Sequence, residues 1–410
     1  QTVFAGTESL NDMFSALKDL GYSKPLLVTD AGIHKLGMLG DIQGQMEQGF
    51  GFSTAVFAEC VPNPGVADIA GIAQAFLEND CDVCVGVGGG GPLDAAKGGM
   101  ALVAKKRIDQ TFDLKESTGD FVSNECRGFA SYAGNTKGFV EAIPPVCAVP
   151  TTSGTGSDGG KSAVICDPSG VKVVFGHPAL MPKLAALDPN LTVKLPPHLT
   201  AGTGIDAFFH SFEAYMVPTD IMTTRDGMSM AEIEYCDGFA LKGMELVCRS
   251  LDRAVEDGSD MESRLRMQIA ALYGAKAFRK GDLGGVHASA HALGAVFHRH
   301  HGECIARMAV PVIEHSESRQ DFDGEAKERA GALAELISTF SPASSASSPH
   351  GTSLSQNVNG FLKRFESSGI VVGCKDLVPE GAEGKDVEVL AELAANDGCQ
   401  TNPVPLDKTD

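Results

Sequence analysis

Two groups of residues in this chain have the types and spacing of metal ligands. The first is Asp206-x3-His210, within TAGTGIDAFFHSFEAY, and the second contains His287, His291 and His301, within GGVHASAHALGAVFHRHHGE. A step of four residues places two side chains on one face of a helix. A carboxylate combined with imidazoles suits a divalent cation of the first transition row. The pattern therefore predicts a catalytic metal centre.

These residues could also have simpler roles than binding a metal. A single Asp-x3-His pair on a helix is more often an exposed pair or a satisfied polar contact. Here the flanking residues are apolar or small, which predicts buried helices, and buried ionisable groups need partners that a shared cation would supply. The spacing alone leaves open which of His298, His300 and His301 joins the other ligands.

A run of glycines, GVGGGGPLD, follows a strand-like segment and opens a helix. Backbone without side chains lets a pyrophosphate approach closely, and a helix N-terminus presents free N–H groups to it. Pro92 suits a first helical position. The alternative is a tight turn that binds nothing. The run lies near residue 88, much later than in a standard Rossmann fold, so it predicts a variant dinucleotide-binding fold.

Two further segments could contact a nucleotide. Asp30 ends the strand-like run LLVTD, where a carboxylate could bind the adenosine ribose and repel a 2′-phosphate, or could cap the next helix. The loop TTSGTGS, residues 151–157, follows another strand-like run and offers hydroxyl donors to phosphate or ribose. By itself that loop could equally be a surface turn.

The segments that must position these residues change in character along the chain. Strand-like and helix-like patterns alternate in the first part, which predicts a parallel sheet, with residues 115–143 as a long surface excursion. From about residue 190 the patterns are helical. The boundary is predicted near 186–197, and residues 341–353 are predicted to be a loop. The final GCQTNPVPLDKTD is expected to be ordered only where something docks it.

Composition excludes several classes of function. The net charge of -20 over 410 residues disfavours nucleic acid and anionic membrane surfaces as partners. No apolar stretch is long enough to span a bilayer, and no signal peptide is predicted. The eleven cysteines form no disulfide framework, and Cys81-x2-Cys84 lies within an apolar strand-like run. These features predict a protein of the reducing cytoplasm.

Four segments of the chain resemble, in order, the signatures of the iron-containing (group III) alcohol dehydrogenases. They are GGGGPLDAAK, VPTTSGTGSD, LDPNLTVKLPPHLTAGTGIDAFFHSFEAY and VHASAHALGA with the later HHGE. VPNPG and NPVPL also fall where that family has similar segments. The resemblance covers nearly the whole chain and is specific for family, though weak for substrate.

This resemblance implies the architecture shared with dehydroquinate synthase: an α/β, Rossmann-like NAD-binding domain (1–186), an all-helical metal-binding domain (187–410), and the metal in the cleft between them. It assigns the metal ligands Asp206, His210, His287 and His301. It assigns the cofactor residues Asp30, Gly88, Gly89, Gly90, Asp94, Thr151, Thr152 and Thr155. It places His291 near the nicotinamide. It implies NAD, rather than NADP, as the nucleotide cofactor. It implies Fe²⁺ as the metal, although the ligand types alone would equally accept Zn²⁺, Mn²⁺ or Co²⁺.

Three positions depart from the family pattern. Gly91 replaces a serine after three glycines, which removes a hydroxyl donor to the pyrophosphate. Ile305 stands where an asparagine is common, and Asp282 is an extra residue just before His287. None of these departures falls on a proposed ligand.

The predicted function is the reversible, NAD-dependent oxidation of a small alcohol to an aldehyde or ketone, with His291 relaying the proton. Hydroxy acids such as 4-hydroxybutyrate are alternative substrates. A dehydroquinate-synthase-like lyase is a second alternative, but its phosphorylated substrate would need more cationic side chains than the helical metal region offers. Those cations are Arg279, Lys280, Arg299 and Arg307. A non-catalytic metal- or nucleotide-binding protein is a third. The resemblance also implies a homo-oligomer, most simply a dimer.

Overall fold

The computed structural model describes residues 1–125, 136–170, 172–278, 283–297, 299–341, 353–374, 384–395 and 402–403. The chain divides into two compact units. The first contains Gln1–Thr152 and Gly156–Thr192, and the second contains Ser153–Thr155 and Val193–Asp410. That the chain forms two separate domains divided between residues 186 and 187 stays a prediction.

The first unit is built on a six-stranded sheet in which every neighbouring pair is parallel. In spatial order its strands are β1 (Thr2–Ala5), β8 (Leu184–Leu187), β5 (Val146–Pro150), β4 (Val83–Gly88), β2 (Pro25–Asp30) and β3 (Ala55–Cys60). A separate antiparallel hairpin joins β6 (Ser162–Cys166) and β7 (Lys172–Gly176). The fully buried strands β4 and β5 are continuous apolar runs, which is typical of a parallel sheet covered on both faces.

Helices complete the first unit. They are α1 (Ser9–Asp19), α2 (Ala31–Lys35), α3 (Met38–Gly44), α4 (Val66–Glu78), α5 (Gly90–Ile108), α6 (Thr118–Asp120) and α7 (Thr136–Ala142). Short π-helical segments cover Gln45–Gly49 and Phe121–Glu125, and 3-10 turns cover Pro178–Leu180 and Pro189–Leu191. Helix α5 packs closely on α4, because a Cβ at Gly99 would lie 2.9 Å from Ile72 Cβ.

The prediction that residues 115–143 form a surface excursion is wrong for part of this segment. Phe121 and Val122 are buried, and they pack in the same apolar cluster as Phe112 and α4. Two large apolar side chains in a Gly- and Ser-rich segment are enough to hold it against the core. Residues 126–135 lie outside the described residues.

The chain order of the sheet places three loops side by side. After β3 at one edge, the chain returns to β4 on the other side of β2, and β5 follows beside β4. Gly88 and Pro150 are register partners, and the Thr151 N–H donates to the Gly88 carbonyl at 2.9 Å. In open α/β sheets, ligands bind outside the carboxyl ends of the strands where the order reverses. The loops after β2, β4 and β5 leave from that edge.

The second unit is helical throughout the part that the structure describes, as the sequence predicted. Its helices are α8 (Pro197–Met216), α9 (Thr219–Thr224), α10 (Met230–Glu256), α11 (Met261–Ala277), α12 (Gly285–Phe297), α13 (His301–Ser318), α14 (Gly324–Phe340), α15 (Leu354–Lys363) and α16 (Gly384–Ala395), with a 3-10 turn at Glu366–Ser368. Among the described helices, none combines the length and apolar character needed to cross a membrane.

Helix α8 lies at the centre of this unit's core. Most of its residues are buried, including Phe208, Phe209 and Phe212. A Cβ at Gly204 would lie 2.9 Å from Leu251 Cδ2, so this glycine lets α10 approach α8 closely. The predicted loop at 341–353 falls almost entirely outside the described residues.

Candidate metal centre

Helix α8 carries three buried ionisable side chains along one face. Asp206, His210 and Glu213 are spaced four and then three residues apart, and they are 3%, 7% and 4% exposed. This exposure confirms the burial expected from the flanking residues. A buried row of this kind costs free energy unless its members bind one another or a ligand.

Three imidazoles converge on one oxygen of Asp206. Its Oδ1 lies 3.4 Å from His210 Nδ1, 3.3 Å from His287 Nε2 and 3.5 Å from His301 Nε2. One ligand atom from each of Asp206, His287 and His301 lies within 4.8 Å of the others. The structure therefore brings together all four residues that were predicted to bind metal, from α8, α12 and α13.

His210 is buried with one ring nitrogen unsatisfied among the described residues, as a metal ligand would be. Its Nδ1 is buried and makes no hydrogen bond within the described part of the chain. Its ring stacks on Phe278 with the centroids 5.0 Å apart, which fixes the ring plane. Buried polar atoms without partners are rare in proteins, and a cation between Asp206 and the imidazoles would satisfy this one.

His291 lies beside this cluster rather than within it. Its ring stacks on His301 with the centroids 5.0 Å apart, and it meets the His287 ring edge-on at 6.1 Å. The side chain is half-buried. This placement separates His291 from the four converging residues.

A close approach between backbones places His301 at the start of α13. A Cβ on Gly302 would lie 2.8 Å from Gly202 Cα, so α13 meets α8 where both helices have glycine. The imidazole of His300 lies against Gly202 instead. Of the three histidines that the spacing left open, His301 approaches Asp206 Oδ1, while His298 lies outside the described residues.

Glu213 is a site residue that the sequence reasoning missed. Its Oε2 lies 2.5 Å from His287 Nδ1, on the side of the ring opposite Asp206. A carboxylate on the second nitrogen of a metal-binding histidine fixes the ring orientation and the tautomer. Its place seven residues after Asp206 on the same buried face was the available signal.

The charges of the cluster shift its pKa values in different directions. Burial alone would raise the pKa of Asp206, but the surrounding imidazoles outweigh it and hold that pKa below its ordinary range. Burial lowers the pKa of His210 to about 4. Burial opposes a charge on His287 too, yet Glu213 and Asp206 outweigh it and raise its pKa to about 9. The cluster thus holds a carboxylate, a neutral imidazole and a strongly basic one.

The glycine run in the first unit forms the turn between β4 and α5. Gly88 has a φ of +151°, and a Cβ there would lie 2.7 Å from the Pro92 ring. Gly89 lies against Thr152, at 3.4 Å from its Oγ1 to the position of a Cβ. Helix α5 begins at Gly90, so its first N–H groups have no partner within the helix, and no side chain of the described residues caps them. Gly88, Gly89, Gly90, Thr151 and Thr152 therefore share one edge of the sheet.

Asp94 is engaged within the first unit. It accepts hydrogen bonds from Ser157 Oγ at 2.6 Å and from the Val164 N–H at 3.1 Å, and Lys97 Nζ lies 3.8 Å away. Burial raises its pKa, although these partners oppose the effect. The carboxylate therefore ties α5 to the segment that follows β5.

Asp30 caps α2, which was one of its two predicted roles. Its Oδ1 accepts hydrogen bonds from the Gly32 N–H at 2.7 Å and the Ile33 N–H at 2.9 Å. Both cap bonds use the same oxygen. Thr155 belongs to the short piece that groups with the second unit, where a Cβ at Gly154 would lie 3.1 Å from Asp206 Oδ2.

Two departures from the family pattern have structural explanations. A Cβ at Gly91 would lie 3.0 Å from the Pro62 carbonyl oxygen, so a larger residue would require this neighbour to move. Ile305 is fully buried in the core of the second unit, where an apolar side chain fits. Asp282 lies outside the described residues.

A parallel sheet with a glycine turn at its reversal point and a buried carboxylate–imidazole cluster are together the features of a metal-dependent dehydrogenase. Comparison with known proteins makes this class specific. The family model described as "Iron-containing alcohol dehydrogenase" matches residues 1–189, and "Fe-containing alcohol dehydrogenase family, C-terminal" matches residues 200–410. The chain belongs to the iron-containing alcohol dehydrogenase family.

Individual relatives agree with this assignment. The chain is 30% identical to alcohol dehydrogenase 4 of Saccharomyces cerevisiae, over 99% of this chain and 93% of the relative. It is 36% identical to 4-hydroxybutyrate dehydrogenase of Cupriavidus necator, over 69% and 65%. An archaeal halo-thermophilic alcohol dehydrogenase from a Red Sea brine pool has a similar structure, with a TM-score of 0.80, 29% identity and coverage of 100% and 94%. The chain is therefore an oxidoreductase that acts on CH–OH groups and interconverts alcohols with aldehydes or ketones.

Proposed function

We propose that this enzyme uses NAD and one divalent cation, Fe²⁺, to oxidise a small alcohol or to reduce the corresponding carbonyl compound. The observation that carries the proposal is the buried convergence of three imidazoles on Asp206. One carboxylate and three nitrogens suit a catalytic cation. The buried Nδ1 of His210, with no hydrogen bond among the described residues, supports the same conclusion.

Asp206, His210, His287 and His301 would hold the cation. With both cofactors bound, the chemistry they supply is Lewis-acid polarisation of the alcohol oxygen and acceptance of hydride. The protein contributes the orientation of its ligands, with Phe278 against the ring of His210 and Glu213 bonded to His287. Burial of α8 excludes water from Asp206.

His291 is proposed as the proton-handling residue. It is half-buried and lies against the His301 ring without joining the four converging residues. An imidazole beside the reacting oxygen can accept the alcohol proton and pass it to solvent. His291 would thus have a role distinct from that of the four ligands, although all five residues lie close together.

For the nucleotide, we propose the loops after β2, β4 and β5, with Asp30, Gly88, Gly89, Gly90, Asp94, Thr151, Thr152 and Thr155 contributing. The free N–H groups at the start of α5 suit a pyrophosphate. A carboxylate at the end of β2 would repel a 2′-phosphate, which favours NAD over NADP. Because Asp94 is bonded to Ser157 and Val164, its contribution would be to shape the loop.

Family membership favours this dehydrogenase over the lyase and over a non-catalytic binding protein. The relatives named methanol dehydrogenase, 1,3-propanediol dehydrogenase and 4-hydroxybutyrate dehydrogenase suggest small alcohols, diols or hydroxy acids as substrates. We also propose a homodimer. A cytoplasmic location would suit the free thiols of the nine described cysteines.

The test uses protein stripped of metal by a chelator and reloaded with Fe²⁺ without oxygen, or with Zn²⁺. NADH formation would be followed with ethanol, 1,3-propanediol and 4-hydroxybutyrate, and NADH consumption with the matching aldehydes. Reloading should restore turnover, and His287→Ala should fall below about one-hundredth of the wild-type rate.

The matched control is His315→Ala, about four turns along α13 from His301, which should keep the wild-type rate. Absence of NAD(H) turnover in metal-loaded protein across the whole panel would refute the proposed function. Full activity in His287→Ala would refute the assignment of the ligands.

A further inference from the structure

The start of α12 lacks a local cap. The first N–H groups of a helix have no partner within the helix, and a Ser, Thr, Asp or Asn at the N-cap usually binds one of them. Here the residue before Gly285 is Gly284, which has no side chain to do so. His287, two residues into this helix, is one of the residues that converge on Asp206.

Two side chains from distant parts of the chain bind these N–H groups instead. Asn402 Oδ1 accepts from the Gly285 N–H at 3.3 Å. Glu213 accepts from Val286 at 2.7 Å and from His287 at 3.2 Å. The next N–H, of Ala288, bonds to the Gly284 carbonyl at 3.1 Å. The first turn is thus capped by a carboxylate from α8 and an amide near the chain's end.

Gly284 provides the space for both caps. A Cβ at this position would lie 2.9 Å from Glu213 Oε1 and 3.3 Å from Asn402 Oδ1. The absence of a local cap and the presence of two distant ones therefore depend on each other, because a side chain at position 284 would displace Glu213 and Asn402.

Asn402 is itself firmly held. It is 4% exposed, and its Nδ2 donates to Ser316 Oγ of α13 at 2.9 Å. Helix α16, the last described helix before it, packs along α12. The two final described pieces of the chain thus both lie against the helix that carries His287 and His291.

We propose that Asn402 is a positioning residue of the metal centre, and that its hydrogen bond to the Gly285 N–H holds the first turn of α12 so that His287 faces Asp206. The inference rests on the proposed function, because it takes the cluster to bind a divalent cation. Without this contact the first turn frays, and only the ordered fraction of molecules binds the ion. The apparent affinity is therefore the affinity of the ordered molecules multiplied by their fraction.

The test compares Asn402→Ala with Asn357→Ala, a matched control that removes another side-chain amide of the same unit, bonded to the Ser353 carbonyl at 3.0 Å. Zn²⁺ affinity is measured on full-length protein by competition with a chromophoric chelator. Amide hydrogen exchange is followed at residues 285–287. Asn402→Ala should weaken Zn²⁺ binding by about 5-fold, the effect of losing a helix cap, and speed exchange at these amides. Asn357→Ala should change neither.

If Asn402→Ala fails to fold, Ser316→Ala leaves Asn402 in place but removes the hydroxyl that accepts from its Nδ2 and donates to the Val312 carbonyl within α13. It should give the same effects in weaker form. Unchanged Zn²⁺ affinity in a folded Asn402→Ala, or equal losses in Asn402→Ala and Asn357→Ala, overturns the inference. If wild-type protein binds no divalent cation, the proposed function fails instead. In that case the exchange rates still decide whether Asn402 caps α12.

Discussion

At the scale of single residues, the cluster is defined by the partners of its imidazoles. His287 lies between two carboxylates, Glu213 on Nδ1 and Asp206 on Nε2. Burial dominates at His210, where the nearby carboxylate of Asp206 does not offset it, so its pKa falls to about 4 while that of His287 rises to about 9. At neutral pH without metal, His287 is therefore protonated and His210 is neutral.

This difference predicts proton release when metal binds. A cation needs the Nε2 lone pair of His287, so that proton must leave, whereas neutral His210 already has a ring nitrogen with a lone pair. Binding of Zn²⁺ between pH 7 and pH 8 should release about one proton per ion. Titration calorimetry in two buffers of different ionisation enthalpy measures this number.

The pH dependence has a defined sign. Because the folded pKa of His287 exceeds the ordinary 6.5, its protonation stabilises the metal-free protein below about pH 6.5. That stabilisation is lost as the pH rises to about 9, and Zn²⁺ affinity rises over the same range. Affinity independent of pH across this window, or Zn²⁺ binding without proton release, would contradict the assignment.

At the scale of elements, one crossing of two helices decides where His301 lies. Gly202 on α8 and Gly302 on α13 bring the two backbones into contact, and His301 precedes the contact by one residue. A Cβ on Gly302 would meet backbone atoms, which cannot move aside like the end of a flexible side chain. The small residue after HH in the sequence thus has a packing role.

Gly302→Ala should therefore separate α8 from α13 and displace His301 without removing any ligand. We expect destabilisation by about 1–3 kcal/mol and weaker metal binding, measured by denaturant unfolding and chelator competition. Gly331→Ala is the matched control, because this glycine of α14 has no atom within 4 Å of a Cβ. It should be neutral or stabilising by about 0.5–1 kcal/mol. Equal effects of the two substitutions would show that the crossing is unimportant.

Elements were predictable where the apolar pattern was continuous. The runs that became β2, β4 and β5, and the helical pattern of α8, needed no tertiary information. The hairpin of β6 and β7 was missed, because each strand has only five residues of alternating burial and a turn at residues 167–170 separates the two strands. The burial of Phe121 was missed because only packing decides whether such a side chain meets a core.

At the scale of the whole molecule, the proposed cation would join α8 to the consecutive helices α12 and α13, which lie far from α8 in the sequence. Its ligands extend from Asp206 on α8 to His301 at the start of α13. A ligand that binds only the folded chain stabilises it in proportion to its affinity and concentration. The metal is therefore expected to support the fold as well as the chemistry.

Removal of metal should lower the thermal stability of the protein. At a free Zn²⁺ concentration 100 times the dissociation constant, the gain is about 2.7 kcal/mol, or a melting temperature higher by roughly 3 °C for a chain of this length that unfolds as one unit. Differential scanning calorimetry with a chelator and with Zn²⁺ measures the difference. His287→Ala should lose most of it. An unchanged melting temperature in wild-type protein at saturating metal would contradict the cross-linking role.

The sequence by itself determined the residue types and helical spacing of the ligands, the glycine turn, and the change from α/β to helical structure. These are local properties, set by side-chain chemistry and by periodicity within a few turns. Spacing left His301 open and the family resemblance assigned it, and the tertiary structure brings it to Asp206. Only the tertiary structure decided that Glu213 bonds to His287 and that Asn402 caps α12. Such contacts join residues far apart in the chain. They depend on the geometry with which packed helices cross, and a local sequence pattern does not predict that geometry.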